Sequence, residues 1–395
     1  MVTQPGGRYL DGPVAIIGAG IGGLTAALSL QHFGVPVRVF EQARALREIG
    51  AGVTITPNAM SVLDFLGIGP ALTEQAGDTP RYFVRSAADG RELERGPDPD
   101  SFVPEFGAAY RNLHRADLHV ALTDAVTKSD PHAIALDHRF DYLEQDGDKV
   151  IAHFSNGTTF EAPALIGADG GASAVRNAVF GGQDASYTGH VALRALVPFT
   201  RVPRAIIADP YALYVGTGRS LIHYPLRHQA TMNLLGNAQA SQWQAEGWAI
   251  PATVQEFLGL FDDFPEPVRE LIAAIPGPDL FKWGLRDREP LPVWTRGRVT
   301  MLGDAAHPMT PYLGQGACMA IEDGMILGRA FGASQDLAEA FSRYEAARRD
   351  RANGVQLAAR YQGTQHHGST ASGPSSGKTA VTLGLFSYNP VTEPI

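Results

Sequence analysis

The chain has 395 residues and a single cysteine, Cys318. One thiol cannot close an internal disulfide, so a reducing, cytoplasmic setting is expected. No basic pair lies near Cys318 in the sequence, and it reads as a small buried residue rather than a reactive thiol. Lysine- and arginine-rich runs are also missing, and the net charge is -9. That balance argues against nucleic acid or an anionic membrane as a partner. The opening MVTQPGGRYLDG has no basic region followed by an apolar core. It reads as a short disordered lead rather than a secretory signal. The longest uncharged run, from Val14 to Leu30, falls short of the roughly 20 residues a membrane helix needs, and its glycines are clustered.

What is present suits a soluble globular protein. Hydrophobic residues make up 44% and charged residues 18%, and the length fits about two domains. VAII (Val14 to Ile17) is the short apolar run of a strand buried on both faces. Gly18 to Gly23 forms a turn, Leu24 to Phe33 a helix ended by Gly34, and Val35 to Glu41 a second strand. Together they make one βαβ unit. Further on, Val191–Phe199, Arg219–Arg227 and Thr231–Leu235 read as consecutive strands without helices between them, which points to an antiparallel sheet. Thr253 to Ala274 reads as helical, with Thr253 as N-cap. RVTML then restores the alternating style, followed by GDAAHP, a helix over Gly316 to Ala330 and a charged helical stretch from Leu337 to Tyr361.

The expected fold is therefore α/β. A Rossmann-like cofactor domain (1–80, 111–180 and 291–330) interleaves with a mainly antiparallel inserted domain (81–110 and 181–290). A C-terminal helix and flexible tail (331–395) follow. HHGSTASGPSSGKT (His366 to Thr379) reads as a linker. Its Gly373-to-Thr379 portion is one residue short of a P-loop and follows no strand.

Gly18, Gly20 and Gly23 fit G-x-G-x-x-G, with Gly22 between them. The first permits the tight turn, the second a close approach of pyrophosphate, and the third helix–strand packing. Glu41 closes the second strand at the spacing of a carboxylate that binds ribose hydroxyls, with Gln42 beside it. That carboxylate disfavours a 2′-phosphate. These features give a dinucleotide site without choosing NAD or FAD.

Longer segments add to this. VAIIGAGIGGLTAALSLQHFGVPVRVFEQ and GAGVTITPNAMSVLDFLG are followed by RADLH (Arg115 to His119) and LIGADGGASAVR (Leu165 to Arg176). GRVTMLGDAAHPMTPYLGQGACMAIEDG (Gly297 to Gly324) comes last. In this order they resemble the group A flavoprotein aromatic hydroxylases, in particular the salicylate hydroxylase and 6-hydroxynicotinate 3-monooxygenase-like branch. The resemblance implies FAD as cofactor, with NADH or NADPH docking transiently at the flavin. No second strand-linked G-x-G-x-x-G offers a separate nicotinamide domain. It also implies a flavin C4a-hydroperoxide that passes a hydroxyl from O2 to a small aromatic or heteroaromatic hydroxy acid. The expected partners are this substrate and O2, in a monomer or homodimer.

The same resemblance assigns site residues. Arg115 contacts FAD. Gly52 and Val53 let backbone approach the isoalloxazine, and Phe140 makes a main-chain contact to the adenine. Asp169 belongs to a motif shared by FAD and NAD(P)H, and Asp304 takes a ribityl hydroxyl. Gly314, Gln315, Gly316 and Ala317 open a helix whose N–H groups face the flavin pyrimidine edge. His307 lies by the flavin in a loop shaped by Pro308.

The inserted sheet offers Arg194, Arg219, His223 and Tyr224. An arginine there can pair with a substrate carboxylate. His223 reads either as a base for a phenolic proton or as a hydrogen-bonded core histidine. His223 and Tyr224 are adjacent and so point to opposite faces of the sheet. Thr54 stands where the 6-hydroxynicotinate enzymes carry a histidine; threonine can hydrogen-bond but cannot act as a base. A non-acid ring such as urate or a quinolone, an epoxidation, or non-catalytic flavin binding are the competing readings. A buried arginine facing the flavin distinguishes the acid from the non-acid ring.

Overall fold

The computed structural model describes residues 10–46, 51–182, 185–241, 243, 250–277, 280–367 and 376–395. Val14–Ile17 is central in a six-stranded sheet. It is flanked on one side by Leu165–Gly167 and Val299–Met301, and on the other by Val37–Phe40 and Ile134–Ala135, all parallel. Only the short edge strand Thr295–Arg296 runs antiparallel. All four residues of Val14–Ile17 are buried, as a strand covered by helices on both faces requires. The helix Ile21–His32 leaves the glycine turn and packs among residues of the helix Gly316–Ala333.

The second sheet has eight strands. Its order is Ile250–Pro251, Leu280–Asp287, Ser186–Pro198, Thr231–Gln239, Arg219–Leu226, Ala212–Gly216, Phe83–Ser86 and Glu92–Arg95. Pairing is antiparallel except where Ala212–Gly216 runs parallel to Phe83–Ser86. Side chains on such strands alternate between faces. One face, with Leu193, Val197, Leu221 and Leu234, packs against Phe257, Phe261, Val268 and Leu271 of two helices. Full burial of each phenylalanine contributes on the order of 2 kcal/mol. The opposite face overhangs a cleft above the parallel sheet. The fold is thus the expected mixed α/β arrangement.

Several elements differ from expectation. The stretch Thr253–Ala274 is two helices, Val254–Leu260 and Glu266–Ala273. Pro265 precedes the second helix and disfavours helical backbone just before it. Thr253 caps the first, its hydroxyl accepting from the Glu256 N–H at 3.1 Å. A three-stranded antiparallel sheet, Phe140–Asp146, Lys149–Phe154 and Thr159–Ala162, was not anticipated. The charged helix runs Leu337–His367, beyond Tyr361. A short helix, Ser376–Thr382, covers the end of the segment read as linker. Residues 368–375 of that segment, and most of the lead, lie outside the described residues. The uncharged run is divided between a strand and a helix, and among the described residues no helix is long and apolar enough to cross a membrane.

Candidate active site

The cleft between the two sheets has a volume of about 380 Å³. Its floor begins at the glycine turn. Gly18 has φ +108°, where a side chain would be strained, and a Cβ there would lie 2.4 Å from the Ala168 carbonyl oxygen. A Cβ on Gly23 would lie 2.0 Å from the Gly18 carbonyl oxygen. Gly20 and Gly22 face the cleft, and nothing lies within 4 Å of a Cβ built on Gly20. A dinucleotide pyrophosphate fits this open backbone at a helix N-terminus.

Glu41 holds the turn from behind. Its carboxylate accepts the Ala19 N–H at 3.0 Å and the Ala43 N–H at 2.9 Å. Gln42 is exposed beside it. The buried His119 donates from Nε2 to the Ala19 carbonyl at 2.7 Å. His119 stands in RADLH, the same segment that sends Arg115 into the cleft.

Asp304 lies in a single 3₁₀ turn, Gly303–Ala305, just past the strand Val299–Met301. It opens onto the cleft with Gly314, Gly316 and Ala317. Enclosure raises its carboxyl above the usual range, opposed by His307, Arg115 and Arg176. Gly316 starts a helix of 18 residues, so its N-terminal N–H groups and dipole favour negative charge at this end of the cleft.

The loop that follows the strand Val299–Met301 is braced by a buried ionic network. Asp323 accepts the Gly303 N–H at 2.9 Å, His307 Nε2–H at 2.6 Å and Arg348 Nε–H at 2.7 Å. Burial pushes the Asp323 carboxyl up, but His307 and Arg348 outweigh it and hold the group at about 2. Arg348 also pairs with Glu322, which takes Asn58 Nδ2–H at 2.6 Å and Arg351 Nε–H at 2.9 Å. Gln315 is buried and bonds Thr56 at 3.2 Å.

The Asp-Gly segment is tied to the same loop. Arg176 donates to the carbonyls of Gly171 at 2.8 Å and Ala305 at 2.9 Å. Burial lowers its guanidinium to about 10. Asp169 is turned toward the following helix, accepting from Ser173 Oγ at 2.5 Å and the Val175 N–H at 3.1 Å. Gly170 beside it lines the cleft.

The roof comes from the eight-stranded sheet. The Arg194 Nη2–H donates to the Gly52 carbonyl at 2.9 Å, and its guanidinium lies 6.0 Å from the Trp283 ring centroid. Among the described residues no carboxylate pairs with it, and burial lowers its pKa. The Gly52 N–H donates to Asn233 Oδ1 at 2.9 Å, and a Cβ on Gly52 would collide with the Tyr224 hydroxyl at 2.5 Å. Gly52–Val53 is therefore held as bare backbone at the cleft wall. Thr54, Ile222, Tyr224, Leu235 and Leu285 complete that wall.

Other candidates lie away from the cleft, each for a physical reason. His223 is fully buried on the helix-covered face. Its Nδ1 lies 3.2 Å from the Pro210 carbonyl, and burial lowers its pKa to about 4. Arg219 shares that face by alternation and pairs with Asp263 at 2.6 Å. His307 is a buried member of the Asp323 network. Pro308 is half-buried close to Gly171. Phe140 is buried opposite Phe154 in the three-stranded sheet. Cys318 is buried, and burial pushes its thiol up to about 11, opposed by its hydrogen bond with Thr56.

A family model described as FAD binding domain matches residues 11–359. The chain belongs to the FAD-dependent aromatic hydroxylase family. It is 38% identical over 360 residues to a 3-hydroxybenzoate 6-hydroxylase of Polaromonas naphthalenivorans (strain CJ2), covering 90% of this chain and 88% of that protein. It is 35% identical over 346 residues to a 6-hydroxynicotinate 3-monooxygenase of Bordetella bronchiseptica, covering 87% and 89%. A solved salicylate hydroxylase substrate complex superposes with a TM-score of 0.79 at 26% identity, covering 96% of each chain. The matched span includes the glycine turn, Glu41 and Asp304.

Proposed function

We propose that this hydroxylase acts on a small aromatic hydroxy acid, salicylate- or hydroxybenzoate-like, with NADH or NADPH and O2 as co-substrates. The observation that carries the reading is Arg194. It is a guanidinium on the cleft face of the roof, without a carboxylate partner among the described residues. A buried cation of this kind is satisfied by an anion, and guanidinium matches a carboxylate in two-point geometry. The relatives that act on hydroxybenzoate and hydroxynicotinate support an acid over a neutral ring.

The roles of the chain's own residues follow. Glu41 would accept ribose hydroxyls, Asp304 would accept a ribityl hydroxyl, and Gly20 and Gly22 would admit the pyrophosphate. Gly52–Val53 and the helix beginning at Gly316 would enclose the flavin ring. Bound FAD supplies hydride acceptance and oxygen transfer. Arg194 would orient the acid, while Ile222, Leu235, Trp283 and Leu285 exclude water. Tyr224 offers the roof hydroxyl nearest Gly52. The division into a cofactor part (1–80, 111–180, 291–330) and a substrate part (81–110, 181–290) is supported by the strands each sheet takes up.

The test is a screen of hydroxybenzoates, hydroxynicotinates and neutral phenols for stimulated NAD(P)H oxidation. Oxygen uptake and product mass are measured in parallel. Stimulation by acids with hydroxylated product is expected. Stimulation by neutral rings alone would overturn the assignment.

A further inference from the structure

A second cavity, of about 450 Å³, lies where the three-stranded sheet meets the strand Val37–Phe40. It shares no lining residue with the cleft. Its wall is aromatic. The Phe40 ring centroid lies 4.6 Å from that of Phe154 and 4.9 Å from that of Phe160, both on the three-stranded sheet. His138 adds a fourth ring, 5.4 Å from Phe40 and 5.1 Å from Phe154. Its Nδ1–H donates to the Leu136 carbonyl at 2.6 Å, which fixes the ring against that wall. All four rings line the cavity.

Arg38 is two residues before Phe40 on the strand and so shares its face. It is half-buried and is the single arginine or lysine on the lining. Among the described residues it makes no ion pair and donates no side-chain hydrogen bond. The exposed arginines nearby behave differently: Arg44 pairs with Asp137 at 3.3 Å and Arg298 with Asp148 at 2.7 Å. Asp130, the one acid on the lining, accepts the His132 N–H at 2.8 Å. One unpaired cation beside one acid suits a monoanion rather than a phosphate, which calls for several donors. The cavity is also separate from the place where Glu41 would hold a ribose. Glu41 turns its carboxylate to Ala19 and Ala43 and does not line it.

We infer that this cavity is a second binding site, separate from the cleft, for a small aromatic carboxylate whose charge pairs with Arg38 and whose ring packs on Phe40, Phe154 and Phe160. A wall of rings with a single well-placed cation is the usual make-up of a small-molecule site. The rings take a flat apolar body in offset or edge contact, and the planar guanidinium takes both oxygens of a carboxylate. Neither half suffices alone. An aliphatic anion leaves the wall bare, and a neutral phenol leaves Arg38 unpaired.

The experiment is equilibrium dialysis of FAD-loaded enzyme, without NAD(P)H, against labelled 3-hydroxybenzoate, with the flavin absorbance recorded in the same samples. Binding in the cleft perturbs the flavin spectrum, whereas binding beside Arg38 leaves it unchanged. Wild type is expected to take up two molecules per chain, one of them spectrally silent. Arg38→Ala should weaken the silent site by at least about ten-fold without altering the flavin titration. Arg38→Lys, which keeps the charge but not the planar fork, should weaken it less. Labelled phenol and labelled acetate should leave the silent site empty. Uptake of one molecule per chain, tracking the flavin, overturns the second site and leaves the hydroxylase reading intact. Acetate binding there as tightly as 3-hydroxybenzoate also overturns it, as does a silent site that Arg38→Ala leaves unchanged. A shift in sedimentation coefficient in Arg38→Ala with an unchanged ligand count makes the cavity a contact between two copies of the chain, and overturns the ligand site. A silent, Arg38-dependent site with no flavin response to any aromatic acid supports this inference and overturns the substrate reading of the cleft.

Discussion

His223 and Tyr224 are consecutive on one strand and serve opposite sides of the sheet. Tyr224 forms part of the cleft wall, whereas the His223 ring lies 6.0 Å from that of Tyr214 and is fully buried. The strand pleat places the tyrosine at the cleft and the histidine on the helix-covered face.

His223 therefore contributes to stability and not to turnover. Burial lowers its pKa from 6.5 to about 4, so the folded protein holds it neutral while the unfolded chain takes up a proton below pH 6.5. Stability is unaffected above that value and falls as pH drops toward 4, by about 3 kcal/mol in total. His223→Leu should flatten this acid limb in denaturant titrations from pH 7 to 4. It should cost about 1 kcal/mol at neutral pH, from the lost bond to Pro210. The pH profile of kcat should not move. A lost basic limb in that profile would assign His223 a proton-transfer role.

Arg194 should determine acid recognition. Arg194→Met removes a charge-assisted contact of about 1.5–3 kcal/mol, which corresponds to a rise in KM for a hydroxybenzoate of roughly ten- to a hundred-fold. Neutral phenols should be affected far less. Because Arg194 also holds the Gly52 carbonyl, Arg194→Lys is the informative companion. It keeps the charge but loses the planar fork, and should recover only part of the affinity. Equal losses for acid and neutral ligands would reduce Arg194 to a brace for Gly52.

The buried network should tie flavin retention to the C-terminal helix. Arg348→Met leaves Glu322 and Asp323 buried without their principal cation, which costs about 3–5 kcal/mol. Asp323 holds the Gly303 N–H next to Asp304, so weakened FAD retention on gel filtration should accompany the fall in melting temperature. Asp323→Asn retains hydrogen-bonding capacity and should be milder in stability. It should still release flavin more readily than wild type.

Much of this site was readable from the chain. The Gly18-to-Gly23 turn, the Glu41 strand end and the Gly-Asp loop are local motifs, and local backbone geometry suffices to bring their residues to the cleft. What escaped was set by distant pairing. Helix Leu337–His367 gives no sequence sign that Arg348 is buried, since its neighbours Arg349 and Asp350 are solvated charges. The adjacent acids Glu322 and Asp323, in a helix whose one other charged residue is Arg329, were the available signal, because buried carboxylates need partners. Alternation separates His223 and Arg219 from Tyr224, but nothing local in the sequence says which face of the strand the helices cover.

Glu41 offers the sharpest test of the dinucleotide reading, because its carboxylate already serves the backbone. It takes the N–H groups of Ala19 and Ala43, leaving remaining lone pairs for ribose hydroxyls. Glu41→Gln keeps the shape but replaces one acceptor oxygen with a donor amide and removes the charge. Each bond to a charged acceptor contributes about 1.5–3 kcal/mol. FAD affinity, followed by quenching of flavin fluorescence, should therefore weaken by at least about ten-fold. Glu41→Ala should be worse, because it also leaves the Ala19 N–H unpaired in the glycine turn. If the two variants instead retain FAD as wild type does, Glu41 is only a buttress for the turn, and the ribose must be held from elsewhere in the cleft.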